Sequence, residues 1–208
     1  MTPPSVVLLH SPLATARQWG PLPEALADLG AAVAIAEIAD DDRPPYAARY
    51  VARAALEIGR AALDPPVLLV AAGAAGPLLP QIGAAQRAAH RALSGYVLLD
   101  APLPQPGTPT RAEIAAAQLR DAPGEPDARS RPPEFFTEPL PMPQDWPDAP
   151  CGYLLTDARH ADCAHLAALR GWPVADLTTG RTGAGGPADV AAALLGLVDA
   201  PSGPSGPP

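Results

Sequence analysis

The chain contains no lysine and no asparagine, only two cysteines, and so few aromatic residues that Phe, Trp and Tyr make up 4% of its 208 positions. Each scarcity excludes something. Positive charge rests on arginine alone, scattered and without interleaved aromatics, so there is no basic stripe of the kind that tracks a phosphate backbone. The formal net charge of -8 also argues against nucleic acid or an anionic membrane as partner. Cys151 and Cys163 are too few for a disulfide framework and lack metal-ligand spacing; one bridge is open, and two buried reduced thiols are the expectation. His160 and His165 stand about one helical turn apart, a spacing found in metal sites, yet no third ligand accompanies them. No metal and no cofactor is expected. No apolar stretch reaches membrane-spanning length, and the N-terminus has neither the basic start nor the long apolar run of a secretory signal. The expected location is cytoplasmic.

What is abundant is alanine, arginine, glycine and proline, a bias that carries no functional weight. Hydrophobic residues make up 48% of the chain, so with aromatics scarce, Ala, Leu and Val must fill the core. Alanine buries little area per residue, which predicts modest stability and helices packed close to a sheet. The length suits one domain with a buried core.

Short unbroken apolar runs, the mark of strands buried on both faces, fall at 5–9 (SVVLL), 31–38, 67–70, 95–99, 151–155 and 174–177. Between them, helical spacing predicts helices at 19–29 (closed by Gly30), 46–62, from 77 to about 92, 161–170 and 188–198. Strands alternating with helices predict an α/β fold with a parallel, doubly wound sheet. Residues 101–150 break the alternation: proline-rich and polar, with one short helix at 110–119, they read as a lid or binding excursion. Residues 199–208, with the PSGPSGPP tail, read as disordered by composition. The expected organisation is one domain over 1–198.

The stretch Val67 to Pro80 (VLLVAAGAAGPLLP) resembles the nucleophile elbow of α/β-hydrolases, where a strand turns sharply into a helix through Gly-x-Ser-x-Gly. It is similar to the pattern V-G-H-S-G-A-G-P-L-L-P of a family of small actinobacterial-type α/β-hydrolase proteins. Val70, Gly76, Pro77, Leu78, Leu79 and Pro80 match; Gly73 stands on the serine and Ala72 on the histidine before it. Residues 6–13 (VVLLHSPL), 95–104 (GYVLLDAPLP), 138–152 and 170–174 (RGWPV) resemble the same family. The resemblance implies an α/β-hydrolase-like, mainly parallel sheet with a reduced, Pro-rich lid and a more open pocket. It also implies a lost base: the loop LTTGRT puts Arg181 where the histidine would be. The triad acid would be Asp100 or Asp157, with no imidazole left to orient.

Several residues then become candidates, each with a plainer reading beside it. Gly73 either floors a pocket from which the serine side chain is missing, with the Ala74 N–H aimed into it, or merely makes a tight turn in another α/β fold. In the loop after the first strand, Pro12 has no N–H, leaving Ser11 or Leu13 to supply a second oxyanion donor. His10 is either a structural histidine or a general acid/base, and Ser11 a replacement nucleophile without a visible base. Asp100 ends a strand at the carboxyl edge of the sheet, where ligands bind, or caps the turn that follows. Arg181 offers a planar fork for a carboxylate or enolate or is a solvated loop residue. Phe135, Phe136, Met142 and Trp146 either line a ligand or staple the excursion down.

Three classes of function follow. The first is a non-hydrolytic enzyme performing cyclisation, rearrangement or elimination on a small organic molecule in specialised metabolism, through Asp100, His10 and Arg181. The second is an inert pseudo-hydrolase that binds a ligand or a partner protein. The third is a hydrolase of unorthodox mechanism. The expected partner is a small, possibly anionic molecule, with a homodimer left open.

Overall fold

The computed structural model describes residues 4–39, 42–119, 131–140, 142–178 and 185–199. Six strands lie in one sheet, β1 (Ser5–Leu9), β2 (Ala32–Ala36), β3 (Val67–Ala72), β4 (Leu93–Leu99), β5 (Cys151–Leu155) and β6 (Val174–Asp176). Their spatial order is β2-β1-β3-β4-β5-β6, and every neighbouring pair is parallel. The chain starts near the middle, steps outward to β2, then returns past β1 to β3 and builds toward the other edge. In sheets of this kind ligands bind at the carboxyl ends beside such a reversal.

Successive side chains of a strand face opposite ways, so each strand feeds two cores. Val7, Leu9, Leu69, Ala71, Tyr96, Leu98, Tyr153 and Leu155 pack with helices α2 (Tyr46–Ala61), α3 (Leu79–Ala88) and α6 (Ala161–Leu169). Val6, Leu8, Leu68, Val70, Val97 and Leu154 pack on the other face with α1 (Leu22–Asp28) and α7 (Pro187–Asp199). The small residues of the helices permit close approach. A Cβ on Gly83 of α3 would stand 2.1 Å from the Tyr96 hydroxyl oxygen, and one on Gly152 of β5 only 3.1 Å from Leu197 Cβ of α7.

Where elements differ from expectation, the cause is local. The helix expected at 19–29 is split into a 3-10 turn at Ala16–Trp19 and α1, because Gly20 turns left-handed at φ 51° and Pro21 follows. Gly30, at φ 88°, does close α1. Helix α3 stops at Ala88, and by Ala92 the chain is extended, its carbonyl accepting from Val67 N–H at 3.0 Å. The described parts of the excursion carry regular structure. Helix α4 (Arg111–Gln118) starts on a capping box between Thr110 and Glu113, and a further short helix, α5 (Pro133–Thr137), follows. Thr110 and Pro139 form an antiparallel bridge, flanked by Leu140 N–H on Pro109 O at 2.8 Å. Of the tail expected at 199–208, Asp199 still belongs to α7, and 200–208 lie outside the described residues.

Cys151 and Cys163 are free and buried. Burial, foremost, pushes each thiol up to about 12, so neither offers the thiolate that reacts. A disulfide-exchange reagent at pH 8 is expected to label neither cysteine in the native protein and both after denaturation. Rapid native labelling would show that the thiols are reachable.

Candidate functional site

Strand β3 carries the chain to the carboxyl edge through Ala71 and Ala72. Gly73 then adopts φ 52°, in the left-handed region where a side chain is strained, and a 3-10 segment, Gly73–Leu78, leads into α3. Gly76 is required for a different reason. A Cβ there would lie 2.5 Å from Pro102 O and 2.9 Å from Ala101 Cβ, so the segment after the bend is pressed against the chain leaving β4. That chain is held in turn: the Tyr153 hydroxyl donates to Ala101 O and accepts from Ala101 N–H, each at 3.1 Å. The Gln118 amide pairs with both backbone groups of Leu103, at 2.7 and 2.8 Å.

Opposite Gly73 stands the loop after β1. His10 is 1% exposed. Ile38 N–H lies 3.1 Å from His10 Nε2, and Ser11 O lies 2.9 Å from Nδ1. A backbone amide only donates, so Nε2 is the acceptor and Nδ1 carries the proton. The Tyr50 hydroxyl donates to His10 O. Ser11 N–H donates to Gln18 Oε1 at 2.8 Å, and Ala74 N–H donates to Ser11 Oγ at 3.1 Å. Leu13 sits at φ 62°, an uncommon conformation for a residue with a side chain.

Asp100, at the end of β4, also has a positive φ, 44°. Its Oδ1 accepts from Thr156 N–H at 2.8 Å and Asp157 N–H at 3.1 Å, and its Oδ2 accepts from the Thr156 hydroxyl. The carboxylate therefore ties the end of β4 to the turn after β5. Asp157, the other acid candidate, faces outward: it caps the following turn through Arg159 N–H at 3.0 Å and pairs with the Arg159 guanidinium, which holds its carboxyl below the usual range.

Two arginines that the sequence did not mark reach these loops from the excursion. Arg111, from the first turn of α4, donates to Ala74 O at 2.9 Å. Arg131 donates to Pro12 O at 3.1 Å. Both are buried, and both lie over the ring of Phe135, at 4.3 and 5.0 Å from its centroid. Phe135 meets Tyr46 edge-on at 5.7 Å, and Glu138 accepts Ala47 N–H at 2.8 Å. The excursion is thus pinned at once to the bend, to the β1 loop and to the start of α2.

The aromatic candidates separate. Phe136 is half-buried beside Phe135, edge-on at 5.3 Å. Met142 is half-buried against the core on the α2, α3 and α6 side, its N–H on Gly107 O. Trp146 stands apart from Gly73. Its ring packs on Tyr96 and Trp172, each at 5.7 Å; Tyr96 pairs with Cys151, the first residue of β5, and Trp172 just precedes β6. In a parallel sheet that is the amino edge, the far end from Gly73. Arg181 lies outside the described residues. Among the described residues no group of three His, Cys, Asp or Glu gathers as metal ligands, and no helix is long and apolar enough to cross a membrane.

No family model matches the chain, and no curated protein matches it. Solved structures do. An extracellular α/β-hydrolase from a Paenibacillus species, described as sharing structural and functional homology with tobacco salicylic acid binding protein 2, superposes with a TM-score of 0.65 at 19% identity, covering 94% of this chain and 99% of its own. A pyrethroid hydrolase gives 0.63 at 16% identity over 97% of this chain and 100% of its own. Tomato methylketone synthase I, complexed with 2-tridecanone, gives 0.61 at 14% identity over 96% and 99%. At these identities what is shared is the fold, and it is the α/β-hydrolase fold.

Two substitutions test the bracing of the site. Asp100→Asn removes an acceptor from a group receiving three hydrogen bonds and is expected to lower unfolding stability by about 1–3 kcal/mol in urea titrations; an unchanged midpoint would mean the brace carries no load. Phe135→Ala, at a side chain 1% exposed, should cost about 3–5 kcal/mol, with protease cleavage appearing first in the excursion.

Proposed function

We propose that the chain is a triad-deficient protein of α/β-hydrolase fold that binds a small organic molecule over Gly73 and does not hydrolyse it. The observation that carries this is the bend itself. At its tip, where acyl transfer requires an activated oxygen or sulfur, Gly73 presents hydrogen in the left-handed conformation that such a bend imposes. The resemblance of the following segment to the family pattern supports reading Gly73 as the replaced nucleophile and Arg181 as the replaced base.

Binding without turnover is favoured over non-hydrolytic catalysis by the state of the two groups that would move protons. Both nitrogens of His10 are engaged with backbone groups, and Asp100 receives three donors from the turn after β5. Each acts as a brace. Non-hydrolytic conversion of the ligand is the second reading. It is supported by the tomato neighbour, which is named for synthesis of a methylketone on this same fold.

p-Nitrophenyl acetate should be turned over by the purified protein no faster than by an unrelated protein of like net charge. Saturable hydrolysis that disappears in Ser11→Ala would overturn this reading and make Ser11 the nucleophile.

A further inference from the structure

We propose that Ser11 is the built-in occupant of the position where this fold would receive an anionic oxygen, and that the site over Gly73 therefore takes a neutral ligand in preference to a carboxylate. The proposal rests on reading the edge over Gly73 as a small-molecule site. In acyl-transfer chemistry on such a bend, the amide following the tip residue supplies one donor to the developing oxyanion, and an amide from a neighbouring loop supplies the other. Here the amide after the tip is that of Ala74, and it donates to Ser11 Oγ at 3.1 Å. Ser11 is 4% exposed, and its own amide is spent on Gln18 Oε1 at 2.8 Å. Pro12 has no N–H to give.

An anion entering over Gly73 would have to break the Ala74–Ser11 bond or be buried without that donor, and a buried charge lacking donors is costly. The net charge of -8 adds long-range repulsion. Arg111 and Arg131 bring positive charge to the same loops. Arg111 donates to the Ala74 carbonyl and Arg131 to that of Pro12, and both guanidiniums lie over Phe135. A neutral molecule makes no demand on the Ala74 amide and can lie against Gly73 and Ala74, which are both half-buried.

The test uses the full chain, 15N-labelled, with acetophenone and benzoate as probes of matched shape and different charge. Amides of Gly73 and Ala74 are followed in titrations of the wild type, Ser11→Ala and Ser11→Thr, alongside hydrogen exchange at Ala74. Acetophenone should shift both amides saturably in the wild type, with benzoate about tenfold weaker or worse; Ser11→Ala should bring benzoate within about threefold of acetophenone and speed exchange at Ala74 about tenfold, while Ser11→Thr keeps wild-type behaviour. Should Ser11→Ala fail to fold, Ser11→Cys, whose sulfur is a weak acceptor, takes its place. Benzoate binding as tightly as acetophenone in the wild type, or a discrimination indifferent to Ser11, overturns the proposal. If neither probe reaches Gly73 while exchange at Ala74 responds to Ser11, the small-molecule reading falls and the ligand preference with it. If the probes bind and exchange ignores Ser11, only the role given to Ser11 falls.

Discussion

A buried central strand that must become a helix within two residues has little conformational choice, and in this protein that constraint falls on Gly73. Strand β3 is enclosed by β1 on one side and β4 on the other, so its exit cannot swing sideways. The chain reverses through one left-handed residue and runs straight into the 3-10 turn that starts α3. The rest of the carboxyl edge is arranged around this bend. Gly76 lets the new segment lie against Pro102, Ser11 closes over the Ala74 amide, and Arg111 holds the Ala74 carbonyl from the other side. The bend is thus surrounded by internal bonds.

On the proposed reading, that internal satisfaction sets this edge apart from a site prepared for proton transfer. A general acid or base needs a titratable atom facing the reactant. His10 spends one nitrogen on Ile38 and the other on Ser11, and protonating Nε2 would cost the Ile38 bond. Asp100 is similarly spent on the turn after β5. Both residues lie at the carboxyl edge of the sheet, and their bonds fix loops in place. Fixed loops of this kind suit the recognition by shape that is proposed here.

Much of the fold was legible because strands buried on both faces read as unbroken apolar runs, and six such runs appear in order. The bend was legible too, since glycine at 73 followed by Gly76-Pro77 is unusual unless the backbone requires it. Other features were out of reach for physical reasons. Helix α5 is five residues of PEFFT, too short to declare itself by periodicity; it exists because Phe135 has a place to dock. Arg111 and Arg131 look like any other arginine in a chain whose long cations are all arginine, and only tertiary contact makes them buried ties. Trp146 was grouped with Phe135, Phe136 and Met142 because all four belong to the excursion. A residue just before a parallel strand sits at that strand's amino end, and this rule places Trp146 with Tyr96 and Trp172.

The contact between Glu138 and the Ala47 amide carries a consequence for how the chain is made. Helix α2 begins after Pro45, which has no side-chain acceptor for its first turn, and the cap arrives from 91 residues downstream. On the ribosome, that end of the helix emerges long before its partner and must wait with its first amides facing water. The same carboxylate that completes the helix also anchors the excursion. Transplanting this segment onto another member of the fold would therefore carry away a helix cap along with the cover, and a recipient would need its own acceptor at that terminus.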